Sequence, residues 1–202
     1  MKNEFLPSDY SVPASGGNYL TLSKLPEGDK NIRILSSAVI GYEYWTTENK
    51  PVRSATPFTE TPGAKLNDKG KIDIKHFWAF VVLDVDEFSA KKKDDKTESF
   101  IKILEVTQKS IQNAIMSFVN NSKWGNPTGY DLTINKTGAK LLTRYTVVPS
   151  PHSDLDKEVE KAYKGMTIKL ENLFDDESPF EGEAPVKTGE GNEVLPEEIP
   201  KF

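Results

Sequence analysis

Apolar residues along the chain fall into five segments that either alternate with polar residues or form short runs of branched and aromatic side chains. Both patterns are typical of β-strands. Strands are predicted at residues 31–45, 74–86, 100–106, 130–136 and 141–148. The alternation is clearest in residues 100–106. The fifth strand is expected to end at Pro149 and Pro151, because proline has no amide hydrogen to donate to a neighbouring strand.

Two further segments carry the spacing of three and four residues that is typical of a helix. The first, residues 108–121, has one apolar stripe and Thr107 as its expected N-cap. The stripe consists of Ile111, Ala114, Ile115, Phe118 and Val119. The second helix is predicted at residues 154–164, with Ser153 as its N-cap and Gly165 at its end.

Segments rich in proline, glycine and charge separate these elements. Residues 46–72 form a long connection between the first two predicted strands, and residues 90–97 are expected to be a solvated hairpin loop. The predicted organisation is a flexible arm at residues 1–18, one domain at 19–151, a short helical appendage at 152–170 and a disordered acidic tail at 171–202.

The predicted order is three strands, one helix and a β-hairpin. This is the order of the OB-fold, a five-stranded Greek-key barrel, with the helix between strands three and four at one end of the barrel. We therefore predict a mainly β fold of this class, and an unclosed β-sandwich with one helix is the alternative. OB-folds bind single strands and sugars on strands two and three, together with loops that correspond here to residues 46–72 and 137–140.

Composition excludes several kinds of site. The 202 residues include no cysteine, which excludes a disulfide framework, a thiolate zinc site, an iron–sulfur cluster and a cysteine nucleophile. No phosphate-binding glycine loop or hydrolase motif occurs. We therefore expect no cofactor and no enzymatic activity. A metal nuclease could use Asp84, Asp86 and Glu87 with Glu105, but a solvated strand end explains these acids better.

The net charge of −5 conceals a partition along the chain. Residues 171–202 carry ten acidic and two basic residues, a net charge of −8, whereas residues 1–170 carry 24 basic and 21 acidic residues, a net charge of +3. The acidic tail either keeps the protein in solution or binds a partner. No stretch approaches the 18 apolar residues of a membrane span and residues 1–10 do not resemble a signal peptide, so we expect a soluble intracellular protein with no membrane partner.

Cationic and aromatic residues are interleaved on the first three predicted strands, on the fifth and on the long connection. Sequence-independent binding of a single strand needs both, because cations contact the phosphates and flat rings stack on the bases. The candidate contacts are Tyr42, Tyr44, Trp45, Lys50, Arg53, Lys71, Lys75, Phe77, Trp78, Lys102, Arg144 and Tyr145. Lys75 and Lys102 are expected to mark the exposed face of the central strands, whereas any one ring is more readily explained by packing in the core.

Seven segments within residues 19–151 follow one another in a set order: Ile-Arg-Ile-Leu-Ser-Ser at 32–37, Gly-Tyr-Glu-Tyr-Trp at 41–45, Lys-Pro-Val-Arg-Ser at 50–54, His-Phe-Trp-Ala-Phe-Val-Val at 76–82, Ile-Leu-Glu-Val-Thr-Gln-Lys-Ser-Ile at 103–111, Trp-Gly-Asn-Pro-Thr-Gly-Tyr-Asp at 124–131 and Tyr-Thr-Val-Val-Pro at 145–149. Together they resemble the OB-fold single-stranded DNA-binding proteins of tailed bacteriophages. The resemblance implies a non-catalytic protein that coats single-stranded DNA in replication and recombination, in the host cytoplasm if the chain is phage-encoded.

The last eight residues, Leu-Pro-Glu-Glu-Ile-Pro-Lys-Phe, resemble the acidic tip of bacterial and phage single-strand binders, although Lys201 interrupts the usual Ile-Pro-Phe ending. The resemblance implies that this tip recruits replication and recombination proteins through Glu197, Glu198, Ile199, Pro200 and Phe202. The tail is also expected to compete with DNA for the basic surface.

The sequence is also compatible with two other functions. One is a structural or decoration β-protein of a virion. The other is binding of RNA or of an oligosaccharide on the same barrel.

Overall fold

A computed structural model describes residues 18–180, and the architecture of this part is mainly β. The predicted arm up to residue 17 and the end of the predicted tail, including Glu197, Glu198, Ile199, Pro200 and Phe202, lie outside the described residues. The strands are β1 (Tyr19–Leu20), β2 (Gly28–Ile34), β3 (Val39–Trp45), β4 (Pro51–Ser54), β5 (Lys75–Asp84), β6 (Ile101–Val106), β7 (Tyr130–Thr137) and β8 (Arg144–His152). The α-helices are α1 (Val85–Ser89), α2 (Lys109–Val119) and α3 (Lys157–Gly165).

The strands form one mixed sheet that is not closed. Its main path runs β1-β6-β5-β2-β7-β8, and β3 pairs with both β5 and β4. The β1–β6 pair is parallel and the other pairs are antiparallel. A closed barrel would require β8 beside β6, but β1 occupies the free edge of β6. Side chains cross the gap instead, because the Tyr145 hydroxyl donates to the Leu22 carbonyl at 3.3 Å and Lys136 Nζ donates to the Ser23 carbonyl at 2.8 Å.

The first predicted strand is two strands, β2 and β3, separated by a bend at residues 35–38. Both pair with β5, β2 near its end and β3 near its start. The bend is held by Val81, whose amide donates to Ser36 Oγ at 2.9 Å and whose carbonyl accepts from the Leu35 amide at 2.8 Å. A residue in β5 therefore fixes the bend, and the local pattern of residues 31–45 does not reveal it.

The inner face of the sheet, defined by Trp78, Phe80 and Val82 of β5, carries the larger hydrophobic core. Helix α2 packs on it through the buried side chains of Ile111 and Ile115. The predicted helix is thus confirmed between β6 and β7, although its N-cap is Gln108 rather than Thr107. No helix in residues 18–180 has the length and apolarity that a membrane span requires.

The outer face of the sheet carries a second core, which the sequence reasoning did not predict. Phe77, Ala79 and Val81 of β5 and Ile101 and Ile103 of β6 are all at most 1% exposed. They are covered by α3 and by residues 168–180, which we call the strap. In strands, uninterrupted apolar runs such as residues 77–83 indicate burial on both faces.

The strap corrects the prediction of disorder from residue 171. Residues Leu170–Phe174 form a 3-10 helix, and Leu173 and Phe180 are buried against the outer face. An antiparallel bridge between Ile168 and Phe180 closes the strap on itself, and the Lys169 amide donates to the Pro179 carbonyl at 2.8 Å. The five apolar side chains of the strap, Ile168, Leu170, Leu173, Phe174 and Phe180, belong to the outer core, and their burial offsets the entropic cost of ordering this acidic segment.

Three further boundaries differ from the predictions. Strand β8 continues through Pro149 and Pro151 to His152, and proline is tolerated there because β8 is an edge strand that pairs on one side only, with β7. Helix α3 is capped by Asp156 rather than Ser153, whose oxygens accept from Arg33. Residues 90–97 were expected to form a solvated hairpin loop. They follow α1, and the last of them, Thr97, is buried rather than solvated.

Candidate nucleic-acid interface

The predicted contact residues of the first two strands meet where β3 pairs with both β4 and β5. Direct cross-strand partners share a face of the sheet. Glu43 lies opposite Arg53 of β4 and opposite Lys75 of β5, so these three side chains belong to one face, the outer one. Trp45 also belongs to this face, because it lies two residues beyond Glu43.

Three of the predicted stacking rings are buried. Tyr44 is 1% exposed, and its hydroxyl donates to the Pro62 carbonyl at 3.1 Å. Phe77 is fully buried in the outer core, and Trp78 is 9% exposed in the inner core. These rings pack in the interior, so the expectation that they stack on bases is wrong for this conformation.

Lys102 also corrects the sequence prediction. It is 8% exposed, and its Nζ donates to Glu87 at 2.5 Å and to Asp84 at 3.3 Å. Asp84 is fully buried and accepts a second ion pair, from Lys30 at 2.5 Å. A lysine between apolar strand residues was expected to point to solvent, but Asp84 at the end of β5 and Glu87 of α1 form ion pairs with it.

Arg53 forms a buried cluster with two carboxylates. Its side chain is 6% exposed, Nη2 donates to Glu105 Oε2 at 2.8 Å, and Nε lies 3.5 Å from Glu43 Oε2. Burial raises the pKa of Glu43, and the nearby Arg53 charge opposes this shift without cancelling it. The guanidinium also lies 5.7 Å from the centre of the Phe77 ring. Only a small part of the Arg53 side chain is therefore accessible at the protein surface.

The remaining candidates are accessible. Lys50, Lys71, Lys75 and Arg144 are exposed, and Tyr42, Trp45 and Tyr145 are half-buried. Tyr42 makes an edge contact with His76, with ring centres 5.2 Å apart. The structure brings Trp45, Lys50, Arg53 and Lys75 together around β3 and β4, whereas Tyr42, which pairs with His76, lies on the inner face of β3. It does not bring Arg144 and Tyr145 to them, because β5, β2 and β7 lie between β3 and β8.

A groove of about 420 Å³ lies between β4 and the strap. One wall carries Lys50, Arg53 and Glu48, whose Oε2 lies 3.4 Å from Lys50 Nζ, and the other carries Phe174, Asp175 and Asp176. The last three were missed by sequence reasoning because they fall in the segment predicted to be disordered. The available signal was the group of apolar residues within that acidic segment, Leu173, Phe174 and Phe180, together with Leu170 directly before it.

The acids considered for a metal nuclease are occupied by other partners. Asp84 and Glu87 bind lysines, Asp86 accepts from the amide and the side chain of Asn31, and Glu105 binds Arg53. Within residues 18–180, no group of three or more histidine or carboxylate side chains is arranged to hold a metal ion.

No family model matches the chain, and neither does any curated protein or solved structure.

Proposed function

We propose that this protein binds single-stranded DNA without sequence preference and without catalysis. The observation that supports this best is the set of exposed lysines around half-exposed rings at one end of the sheet. Lys50, directly before β4, and Lys75 of β5 lie on either side of Trp45, Tyr42 lies on the opposite face of β3, and Lys71 lies on the turn that leads into β5. Lysines capture the phosphates and the rings stack on bases of any identity.

The order of the elements also supports the proposal. If β2 and β3 are counted as one bent strand, then β5, β6, α2, β7 and β8 follow in the order of an OB-fold, with α2 under the inner core. We propose that the sheet is an OB-type Greek-key barrel opened between β6 and β8. Under this proposal the end of the sheet formed by β3, β4 and β5 corresponds to the surface on which OB-folds bind single strands.

The DNA path proposed here differs from the one that the sequence suggested. The centre of the outer face, around Ala79 and Ile103, is covered by the strap and α3. The strand is instead proposed to run along the rim, past Trp45, Lys50 and Lys75. The acidic residues 181–202 are proposed to recruit replication and recombination proteins in the cytoplasm of the cell in which the DNA is copied.

The test is a fluorescence titration of the full chain with labelled oligo-dT at several salt concentrations. We expect affinity to fall with salt, with a log–log slope of about −0.7 for each phosphate neutralised. The double substitution Lys50→Gln and Lys75→Gln should reduce both the affinity and the slope. Lys161→Gln, on the exposed side of α3, is the matched control and should change neither.

An affinity that does not respond to salt, or a double variant that binds as the wild type does, would contradict the proposal. A matched oligo-rU titration separates DNA binding from the RNA alternative. Complete absence of binding in the wild type and all variants would favour the structural β-protein.

A further inference from the structure

The ring of Phe174 occupies a position that only a glycine at residue 41 allows. A Cβ atom placed on Gly41 would lie 2.7 Å from Phe174 Cε1, 2.9 Å from Phe77 Cε1 and 2.7 Å from the Ser54 carbonyl oxygen. The centres of the two phenyl rings are 6.1 Å apart. The backbone of Gly41, the ring of Phe77 and the neighbouring guanidinium of Arg53 thus form a surface of the kind on which a flat base can stack.

Carboxylates follow this ring directly. Asp175 and Asp176 line the groove opposite Lys50 and Arg53, and no ion pair of 4.0 Å or less joins the two walls within residues 18–180. Arg53 Nε is buried and lies 3.5 Å from Glu43 Oε2, so it is not a free donor to the groove. Lys50 and Arg53 on one wall thus face a ring followed by two negative charges on the other wall.

The strap is attached in a way that allows its edge to move. Within residues 18–180, every hydrogen bond made by residues 168–180 has its partner inside the strap, as between the Asn172 side chain and the Ser178 carbonyl at 3.0 Å. Contact with the sheet is made by the buried apolar side chains of Leu170, Leu173 and Phe180. Phe174 is only half-buried, at the rim of this contact. Moving Phe174, Asp175 and Asp176 breaks no hydrogen bond to the sheet.

We propose that the groove between β4 and the strap is a nucleotide subsite, and that Phe174, Asp175 and Asp176 form its built-in competitor. The ring occupies the place of a base on Gly41 and Phe77, and the two carboxylates hold negative charge where a phosphate would approach Lys50 and Arg53. A volume of about 420 Å³ is within the range of small-ligand sites. This inference rests on the proposed function, and it concerns the ordered strap rather than residues 181–202.

The first experiment compares full-length variants in the oligo-dT titration. If the open state is populated at about 10% or less, then Phe174→Ala with Asp175→Asn and Asp176→Asn should raise the affinity by about tenfold or more. Glu171→Gln is the control, since it removes an exposed acid of the same strap that does not line the groove. A triple variant that binds no tighter than the wild type overturns the inference. Absence of binding in every variant overturns the proposed function as well.

The second experiment measures displacement directly. Because the chain has no cysteine, Leu173→Cys provides a single thiol, which is buried in the closed structure, directly precedes the strap edge and lines the groove, so that displacement of Phe174 uncovers it. Saturating oligo-dT should accelerate its modification by a thiol reagent, whereas Val82→Cys, fully buried in the inner core, should stay protected. If DNA binds but leaves the Leu173→Cys rate unchanged or slower, DNA does not displace the strap edge. That result overturns the inference and leaves the proposed function intact.

Discussion

Lys102 is 8% exposed, and its Nζ donates to both Asp84 and Glu87. Hydrogen bonds to charged groups contribute about 1.5–3 kcal/mol, so we expect Lys102→Met to lower the free energy of unfolding by about 2 kcal/mol. Affinity for oligo-dT should stay unchanged in the folded variant. Urea unfolding and the DNA titration measure the two effects.

Lys75 provides the opposite case on the neighbouring strand. Its side chain is 43% exposed, and its ion pair with Asp73, at 3.7 Å, is at the surface. Lys75→Gln should therefore weaken DNA binding while changing the free energy of unfolding by no more than about 0.5 kcal/mol. Two results would show that the lysines have been assigned the wrong roles. One is a Lys102→Met variant that loses DNA binding but keeps its stability, and the other is a Lys75→Gln variant that loses stability but keeps DNA binding.

Glu43 makes stability depend on pH in a predictable direction. Burial raises its folded-state pKa above 4.5, against the opposing charges of Arg53 and Lys75 and with a further increase from Glu105. The folded state therefore holds this proton more tightly than the unfolded state, and the wild type loses stability as pH rises from about 4.5 through the raised pKa. In Glu43→Gln this loss is absent.

The measurement is the free energy of unfolding of both proteins in urea at pH 5 and pH 7. We expect the value for Glu43→Gln minus that for the wild type to become more positive at pH 7. The exposed Glu48→Gln is the control and should give a constant difference. Asp86, whose pKa is lowered from 3.8 by its bonds to Asn31 and Lys30 despite opposing burial, titrates below this range. A difference that is constant or declines towards pH 7 would contradict the assignment.

At the scale of elements, the second core depends on the strap. Leu173 is 3% exposed beneath the 3-10 helix, and removing a buried leucine side chain costs about 2–5 kcal/mol. We expect Leu173→Ala to lower the free energy of unfolding by that amount, measured by urea unfolding. Glu171→Ala, two residues away and exposed, should have little effect. A neutral Leu173→Ala would mean that the strap does not stabilise the outer core.

Elements with a strong local pattern were predictable from sequence, and those fixed by distant residues were not. β6, β7 and α2 carry clear periodicity, and the structure has them within a few residues of the predicted bounds. The bend at residues 35–38 depends on Val81, and the burial of Lys102 depends on Asp84 and Glu87. Neither contact can be recognised from the residues near it in the sequence, because its partners are distant in sequence or lie on different elements.

The candidate site shows the same division. The exposed cations Lys50 and Lys75 could be predicted, since lysines in a polar connection or at the start of a strand usually remain at the surface. Tyr44 and Phe77 could not be separated from Trp45 by composition, because all three are aromatic residues in or next to β3. The apolar run of residues 77–83 predicts a cover on both faces of β5, but it does not identify the strap as that cover.

For the whole molecule, the acidic residues beyond 170 fall into two groups with different consequences. Residues 171–180 carry four acids and belong to the strap, whose Leu173 and Phe180 are buried. Residues 181–202 carry six acids and two bases, a net charge of −4. A deletion that begins at residue 171 therefore removes core side chains together with charge, and its effect on DNA binding cannot be assigned to competition by the tail.

A shortened chain that ends at Phe180 retains the side chains of the outer core and lacks the acidic residues 181–202. We expect it to unfold at the same urea concentration as the full chain and to bind oligo-dT about fivefold or more tightly at low salt, because a competing polyanion is gone. The gain should shrink as salt is added, since screening weakens the competition of exposed charges for the same lysines. Equal or weaker binding by the shortened chain at low salt, with its stability preserved, would show that residues 181–202 do not compete with DNA.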